Sequence, residues 1–349
     1  MRFPACFVKG AQAGNLVRMS LMRAVLLAGS QNAWLRERAM RYPFVRRSVS
    51  RFMPGETLDA ALDAARNLAK RTAGTILTHL GENVTEAAEA EAVTAQYLDV
   101  LGRVLADHLD AQISVKPTQL GLDLDLQTCF QHLMTLVERA SATGNFVWID
   151  MESTKYVDLT LDLFRRARSA SPRIGVCLQA YLRRTAADLE SLLPLGPAIR
   201  LVKGAYREPA SLAYPDKRDV DENFFDLASR LLEDDAQRAG AMVAIATHDE
   251  RLIDRIRRLI ASRAVRPVQA RVHSVTGSGL QPAAAGAPTG YEFEMLYGIQ
   301  AGLQARLLEK GQPLRVLISY GEFWFPWYMR RLAERPANVW FVAKSMLSR

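Results

Sequence analysis

The chain has 349 residues, 49% of them hydrophobic and 23% charged, with a mean hydropathy of -0.05. That balance is globular and excludes a polytopic membrane protein, and no apolar run reaches the ~18 residues a bilayer span needs. A net charge of +8 favours anionic partners, but the cations are scattered among acids and no nucleic-acid motif stands out.

The first 18 residues carry Arg2, Lys9 and Arg18 and no acid. Residues 1–20 read as a disordered arm or an over-extended start, with Met19 or Met22 as the initiator, and 21–349 as one domain. Residues 20–70 read as helical, with Thr57 capping an amphipathic run. Cys6, Cys129 and Cys177 lack metal-ligand spacing and are odd in number, which fits a reduced, cytoplasmic protein. The five histidines form no HExxH pattern or close pair, so no metal site is expected.

From there, short apolar runs alternate with amphipathic segments. The predicted strands cover 75–82, 112–116, 146–150, 174–179, 199–203, 242–248, 291–296 and 314–320. Helices are predicted between most of them, at 86–108, 127–142, 159–170, 185–193, 223–238, 250–262 and 297–308. Eight near-continuous apolar strands alternating with helices point to a (β/α)8 barrel. Their last residues are Glu82, Lys116, Asp150, Gln179, Lys203, Thr247-His248, Glu294 and Tyr320, nearly all polar or ionisable. Packing gives a core strand no reason to end in charge so often. An active site built at the C-terminal strand ends does.

After the fifth strand, Lys203-Gly204-Ala205-Tyr206-Arg207 combines small residues with two cations. Two readings stay open there: a Schiff-base lysine, or a lysine contacting an anionic or redox-active ring. Residues 209–221 read as a polar insertion suited to a lid, and 276–290 as a flexible Gly-, Ala- and Pro-rich loop. Gly277-Ser278-Gly279 lacks the third glycine and the helix of a dinucleotide fingerprint, so it reads as a hinge. In 314–334 a strand leads through an aromatic segment to Arg330, Arg331 and Glu334. That is either a solvated basic helix end or a site for a small carboxylate with an apolar body.

Nine segments then carry a family resemblance: LGE (80–82), VKPTQLGLDL (115–124), WIDME (148–152), VCLQAYLRRT (176–185), RLVKGAYREP (200–209), YPDKR (214–218), ATHD (246–249), FEMLYG (293–298) and the Arg330-Arg331 segment. Collinear and jointly specific, they resemble the proline dehydrogenase family of the short, monofunctional bacterial type.

The resemblance implies a distorted (β/α)8 barrel with FAD at its mouth. It implies oxidation of L-proline to Δ1-pyrroline-5-carboxylate by hydride transfer to flavin N5, with electrons passed to a membrane quinone. Carried over by motif, Asp150 and Arg207 are catalytic. Lys116, Arg330 and Arg331 bind the substrate carboxylate, Glu334 orients the arginines, and Glu82 pairs with Arg330 as a gate. Tyr320, Tyr206 and Leu296 pack around the substrate ring. Met151, Gln179, Arg200, Val202, Lys203, Gly204, Ala205, Ala210, Ser211, Leu212, Thr247 and His248 contact FAD.

Trp327 stands where the family usually has tyrosine, and Glu294 where glutamine is common. Bulky Tyr320 favours proline over 4-hydroxyproline. The alternatives are a 4-hydroxyproline dehydrogenase, a Schiff-base aldolase using Lys203 or Lys116, and a basic nucleic-acid-binding protein. The basic surface raises the expectation of peripheral docking on an anionic inner membrane.

Overall fold

The eight predicted strands close on one another. In the computed structural model, residues 49–268, 275–276, 279–280, 288–325 and 328–329 are described. The barrel strands are β1 (Gly74–His79), β2 (Ala111–Val115), β3 (Val147–Ile149), β4 (Ile174–Gln179), β5 (Ala198–Val202) and β6 (Met242–Ala246). A short antiparallel pair follows, β7 (Val275–Thr276) with β8 (Gly279–Leu280), before the last barrel strands, β9 (Gly290–Leu296) and β10 (Leu314–Tyr320). All barrel pairings are parallel, and β10 closes on β1 from Gly74↔Arg315 to His79↔Tyr320. The fold is a (β/α)8 barrel.

The helices are α1 (Leu58–Ala69), α2 (Ala87–Ala106), α3 (Leu126–Ala142), α4 (Val157–Ala170), α5 (Thr185–Leu192), α6 (Lys217–Leu231), α7 (Asp234–Arg238), α8 (Glu250–Arg263) and α9 (Ala301–Glu309). Local chemistry sets several of their starts. Thr57 caps α1 by accepting from the Ala60 N–H at 3.3 Å, and Asp125 caps α3 by accepting from Thr128 at 2.7 Å.

Several predicted elements need correction. Residues 51–57, inside the stretch expected to be helical over 20–70, are turns and bends, and β1 stops at His79, short of Glu82. The helix expected over 223–238 is two helices, α6 and α7, because Glu233 between them is extended. Its acids Asp234 and Asp235 suit a helix start, where the dipole favours negative charge, better than a helix interior. The insertion expected over 209–221 ends early, since α6 begins at Lys217. Its first part is not a free lid: it folds back through the Leu182↔Ala213 bridge onto the loop after β4.

Strand alternation divides the core. Residues such as Ile113, Val147, Ile149, Ile199, Val316 and Ile318 face outward and pack under the helices. Ile76, Phe146, Trp148, Ala198, Met242 and Ala244 fill the lumen. Trp148 needs Gly175 opposite it, because a Cβ there would lie 2.5 Å from the indole ring. Below that layer, Arg315 donates to Asp110 Oδ1 at 2.9 Å and to Glu292 Oε2 at 3.3 Å, closing the N-terminal end of the barrel with paired charge.

Candidate active site

Above the Trp148 layer, β2, β3, β5 and β9 each send one polar side chain into the lumen. Arg200 is the centre. It donates from Nε to Glu294 Oε2 at 2.6 Å, and from Nη1 to Asp150 Oδ1 at 2.9 Å and Ser114 Oγ at 2.7 Å. The Ser114 hydroxyl donates in turn to Asp150 Oδ1 at 2.7 Å. The guanidinium lies over Trp148, 4.6 Å from the ring centroid, and the indole N–H is fixed by Gln112 Oε1 at 2.6 Å. Arg200 and Glu294 are each 3% exposed, so this pairing is made in a low dielectric. Burial pushes the Glu294 carboxyl up to about 7 against the pull of Arg200. Arg200 Nη2 and Glu294 Oε1 are buried and have no hydrogen-bond partner among the described residues.

On the β1–β3 side of the rim, Lys116 donates to the Gly81 carbonyl at 3.3 Å. It makes no salt bridge with Asp150, whose partner is Arg200. Glu82 is partly buried on the same rim. Glu152 is buried just after β3, accepting from the Thr118 hydroxyl at 2.8 Å, while its carbonyl accepts from Gln179 Nε2 at 2.8 Å. Burial raises its carboxyl to about 7.

The β5 side is organised by charge and by a close approach. Gly204 has φ +114°, and a Cβ there would lie 2.2 Å from the Tyr181 ring, so this position accepts only glycine without rearrangement. Lys203 pairs with Asp221 on α6 and with Asp249 at 2.8 Å, and Lys217 pairs with the same two carboxylates. Burial alone would raise the Asp249 carboxyl, but the two ammonium groups hold it well below the usual range. Tyr206 is partly buried and Arg207 exposed, the latter with no hydrogen bond or ion pair among the described residues. Glu208 turns away to accept from the Thr154 N–H at 2.8 Å and hydroxyl at 2.6 Å. Ala205, Ala210, Ser211 and Leu212 are exposed. Ser211 and Leu212 join Thr154, Lys155, Leu182, Arg183 and Arg184 around a groove of ≈ 600 Å³, which shares no residue with the lumen charges.

After β6, Thr247 Oγ1 accepts from the Asp249 N–H at 3.2 Å, and His248 Nε2 accepts from the Leu296 N–H at 2.9 Å. That bond fixes the His248 ring beside the end of β9 in the tautomer protonated at Nδ1. Val202, Gln179 and Leu296 follow the lumen-facing alternation of their strands, whereas Met151 packs in the outer core.

Tyr320 is a correction. It is fully buried among the outward-facing residues of β10, with its ring 5.3 Å from that of His79, and the alternation gives the lumen to Leu317 and Ser319. Its ring therefore packs away from the lumen. Arg330, Arg331, Glu334 and Trp327 lie outside the described residues, as do residues 1–20.

The strand-end pattern had not indicated Ser114, Trp148 and Glu152. The signal was available, since Ser114 and Trp148 stand two residues before Lys116 and Asp150, on the same face of β2 and β3.

The sequence profile described as proline dehydrogenase matches residues 61–344. Proline dehydrogenase 1 of Bacillus subtilis subsp. natto is 33% identical, over 94% of this chain and 100% of that protein. The proline dehydrogenase of Deinococcus radiodurans is 32% identical, over 86% of this chain and 90% of its own. Among solved structures, proline utilization A from Bdellovibrio bacteriovorus, inactivated by N-propargylglycine, superposes with a TM-score of 0.70 at 22% identity. That match covers 83% of this chain and 32% of the larger protein, and it supports the barrel fold.

Proposed function

We infer the chemistry from one premise: the chain belongs to the proline dehydrogenase family. Its reaction is the oxidation of L-proline, and the product is Δ1-pyrroline-5-carboxylate. The observation that carries the finer reading is the Arg200 cluster at the C-terminal end of the lumen, where the buried guanidinium has no partner for Nη2 among the described residues.

The residues present fit FAD as the cofactor. An open, buried Arg200 N–H suits a ring that gains negative charge on reduction. Gln179, Val202, Gly204, Thr247 and His248 stand at the ends of β4, β5 and β6, where a cofactor at the barrel mouth would lie. FAD bound there supplies a two-electron acceptor for the hydride on the substrate carbon beside nitrogen. Lys203 joins this set as a neighbour held by Asp221 and Asp249, its ammonium already committed.

For the substrate, Lys116 supplies a cation at the rim, and Arg330 and Arg331 complete the carboxylate site by motif. Fixing the carboxylate orients the ring and excludes neutral amines. Asp150 holds Arg200 in place from β3, two strands away in the barrel. Arg207, exposed at the loop, acts at the mouth. The acceptor that regenerates the oxidised cofactor is a membrane quinone, reached by peripheral docking of this basic protein on anionic lipid.

The aldolase reading loses support at Lys203. Lys203 is engaged by two carboxylates, and imine formation needs a free amine lone pair.

An absorption spectrum of the purified protein, before and after anaerobic L-proline, tests the function. Flavin bands that bleach with L-proline are expected. Bands that bleach only with another amine would discard the substrate, and a colourless protein that FAD cannot reconstitute would discard the cofactor.

A further inference from the structure

The lumen holds two layers of buried charge that differ in how completely they are closed. In the lower layer Arg315 serves Glu292, Asp110 and the Thr75 carbonyl. In the upper layer Arg200 is shared between Glu294 and Asp150, and Arg200 Nη2 and Glu294 Oε1 have no partner among the described residues. Buried polar atoms are left open at real cost, so an open donor and an open acceptor on one ion pair point to a group that joins them in function.

One guanidinium faces two carboxylates, so the layer is neutral only when one carboxylate carries a proton. Several charged or titratable groups surround Glu294. They are Arg200 from β5, Asp150 beyond it from β3, Cys177 from β4, Glu292 two residues below on β9, and Arg315 from β10. The lumen residues of β6, Ala244 and Ala246, cannot titrate, and just beyond that strand His248 faces the end of β9 with its Nε2 accepting from the Leu296 N–H. Burial and the like charge of Glu292 raise the Glu294 carboxyl to about 7, with Arg200 opposing, whereas Asp150 keeps a wet edge at 24% side-chain exposure. Glu294 is therefore where a proton is added most easily.

We propose that Glu294 is a positioning residue for Arg200 that takes up one solvent proton when the bound cofactor gains negative charge, so that the upper layer turns neutral as Arg200 faces the reduced ring. This rests on the flavin reading given above. The atoms balance simply. The substrate C–H bond breaks with its electron pair passing to the flavin, and the nitrogen proton leaves to solvent as C=N forms. Separately, one solvent proton forms the Glu294 O–H bond.

The test compares the holoenzyme with E294Q by potentiometric titration of the flavin across neutral pH. Above neutrality, where Glu294 is ionised until the flavin is reduced, the native midpoint potential should follow pH with up to one more proton per two electrons than E294Q does. E292Q should keep the extra proton but move it to lower pH, because the like charge beneath is gone. A second readout is infrared: reduction should bring up a protonated-carboxyl band that E294Q lacks. In the flavin-free protein, the same carboxyl should titrate near neutrality rather than near the ordinary glutamate value of about 4.3.

Equal slopes in native and E294Q protein, or no carboxyl band on reduction, would overturn the proposal. Should E294Q fail to fold, the native infrared spectrum decides alone. A protein that binds flavin and is bleached by proline, yet shows neither effect, loses this proposal only. One that binds no flavin loses the functional reading, and this with it.

Discussion

Asp150 at the end of β3 and Arg200 on β5 meet across the lumen at 2.9 Å, with the Ser114 hydroxyl bonded to both. The intervening strand, β4, contributes Gly175 lower down, so the gap is bridged by the Trp148 ring beneath and by the guanidinium above.

Removing the cation should therefore cost more than any surface arginine. Arg200→Met leaves Asp150 and Glu294 without their shared partner, and breaking a buried pair from one side costs about 3–5 kcal/mol. Urea unfolding should show that loss. An unchanged midpoint would mean that the lumen pairing does not form.

Glu152 should make stability depend on pH. Its carboxyl is raised to about 7 by burial, so the folded state holds its proton where the unfolded chain has released it. The contribution is fully present below the unfolded value of about 4.3 and is lost as pH rises through 7, on the order of 3 kcal/mol in all. Glu152→Gln keeps the Thr118 bond and removes the titration. The variant should be more stable than the native protein above neutrality, and its unfolding free energy should be flatter between pH 4 and 7.

Gly204→Ala places a methyl against the Tyr181 ring at a φ of +114°. Relief requires the loop after β5 to move. A cost of roughly 2 kcal/mol or more is expected, with weakened flavin retention, measurable by thermal unfolding and by the flavin-to-protein absorbance ratio. Full retention with unchanged stability would show that the loop yields freely.

Lys116→Ala should lower kcat/KM for L-proline about 10- to 100-fold, the worth of one charge-assisted hydrogen bond. Most of the loss should fall on KM if the lysine binds the carboxylate alike in ground and transition states. A loss confined to kcat would assign Lys116 to the chemical step instead.

The basic charge should also be felt in membrane contact. Co-sedimentation with vesicles should rise with anionic lipid content and fall with salt. Binding that ignored both would remove peripheral docking from the reading.

Much of this protein was fixed by local pattern. Apolar runs separated by amphipathic segments required a covered parallel sheet, because only flanking helices can bury strands that are apolar on both faces, and the count of eight strands pointed to a barrel. The Thr57 cap was legible because a helix start needs an acceptor for its open N–H groups, whereas the Asp125 cap came only with the structure. Lys116 and Asp150 were legible as polar ends to buried strands. What the sequence could not decide was partnership across the barrel. Arg200 and Glu294 stand 94 residues apart and become neighbours only through strand order and register. Tyr320 shows the same limit from the other side: one residue of register turns a side chain from the lumen to the outer core, and closure against β1 sets that register. Local sequence determined the elements and their polar ends, since propensity and burial act within a few residues. The tertiary structure alone decided which charges share a lumen and how many protons they hold, since those depend on distance and desolvation.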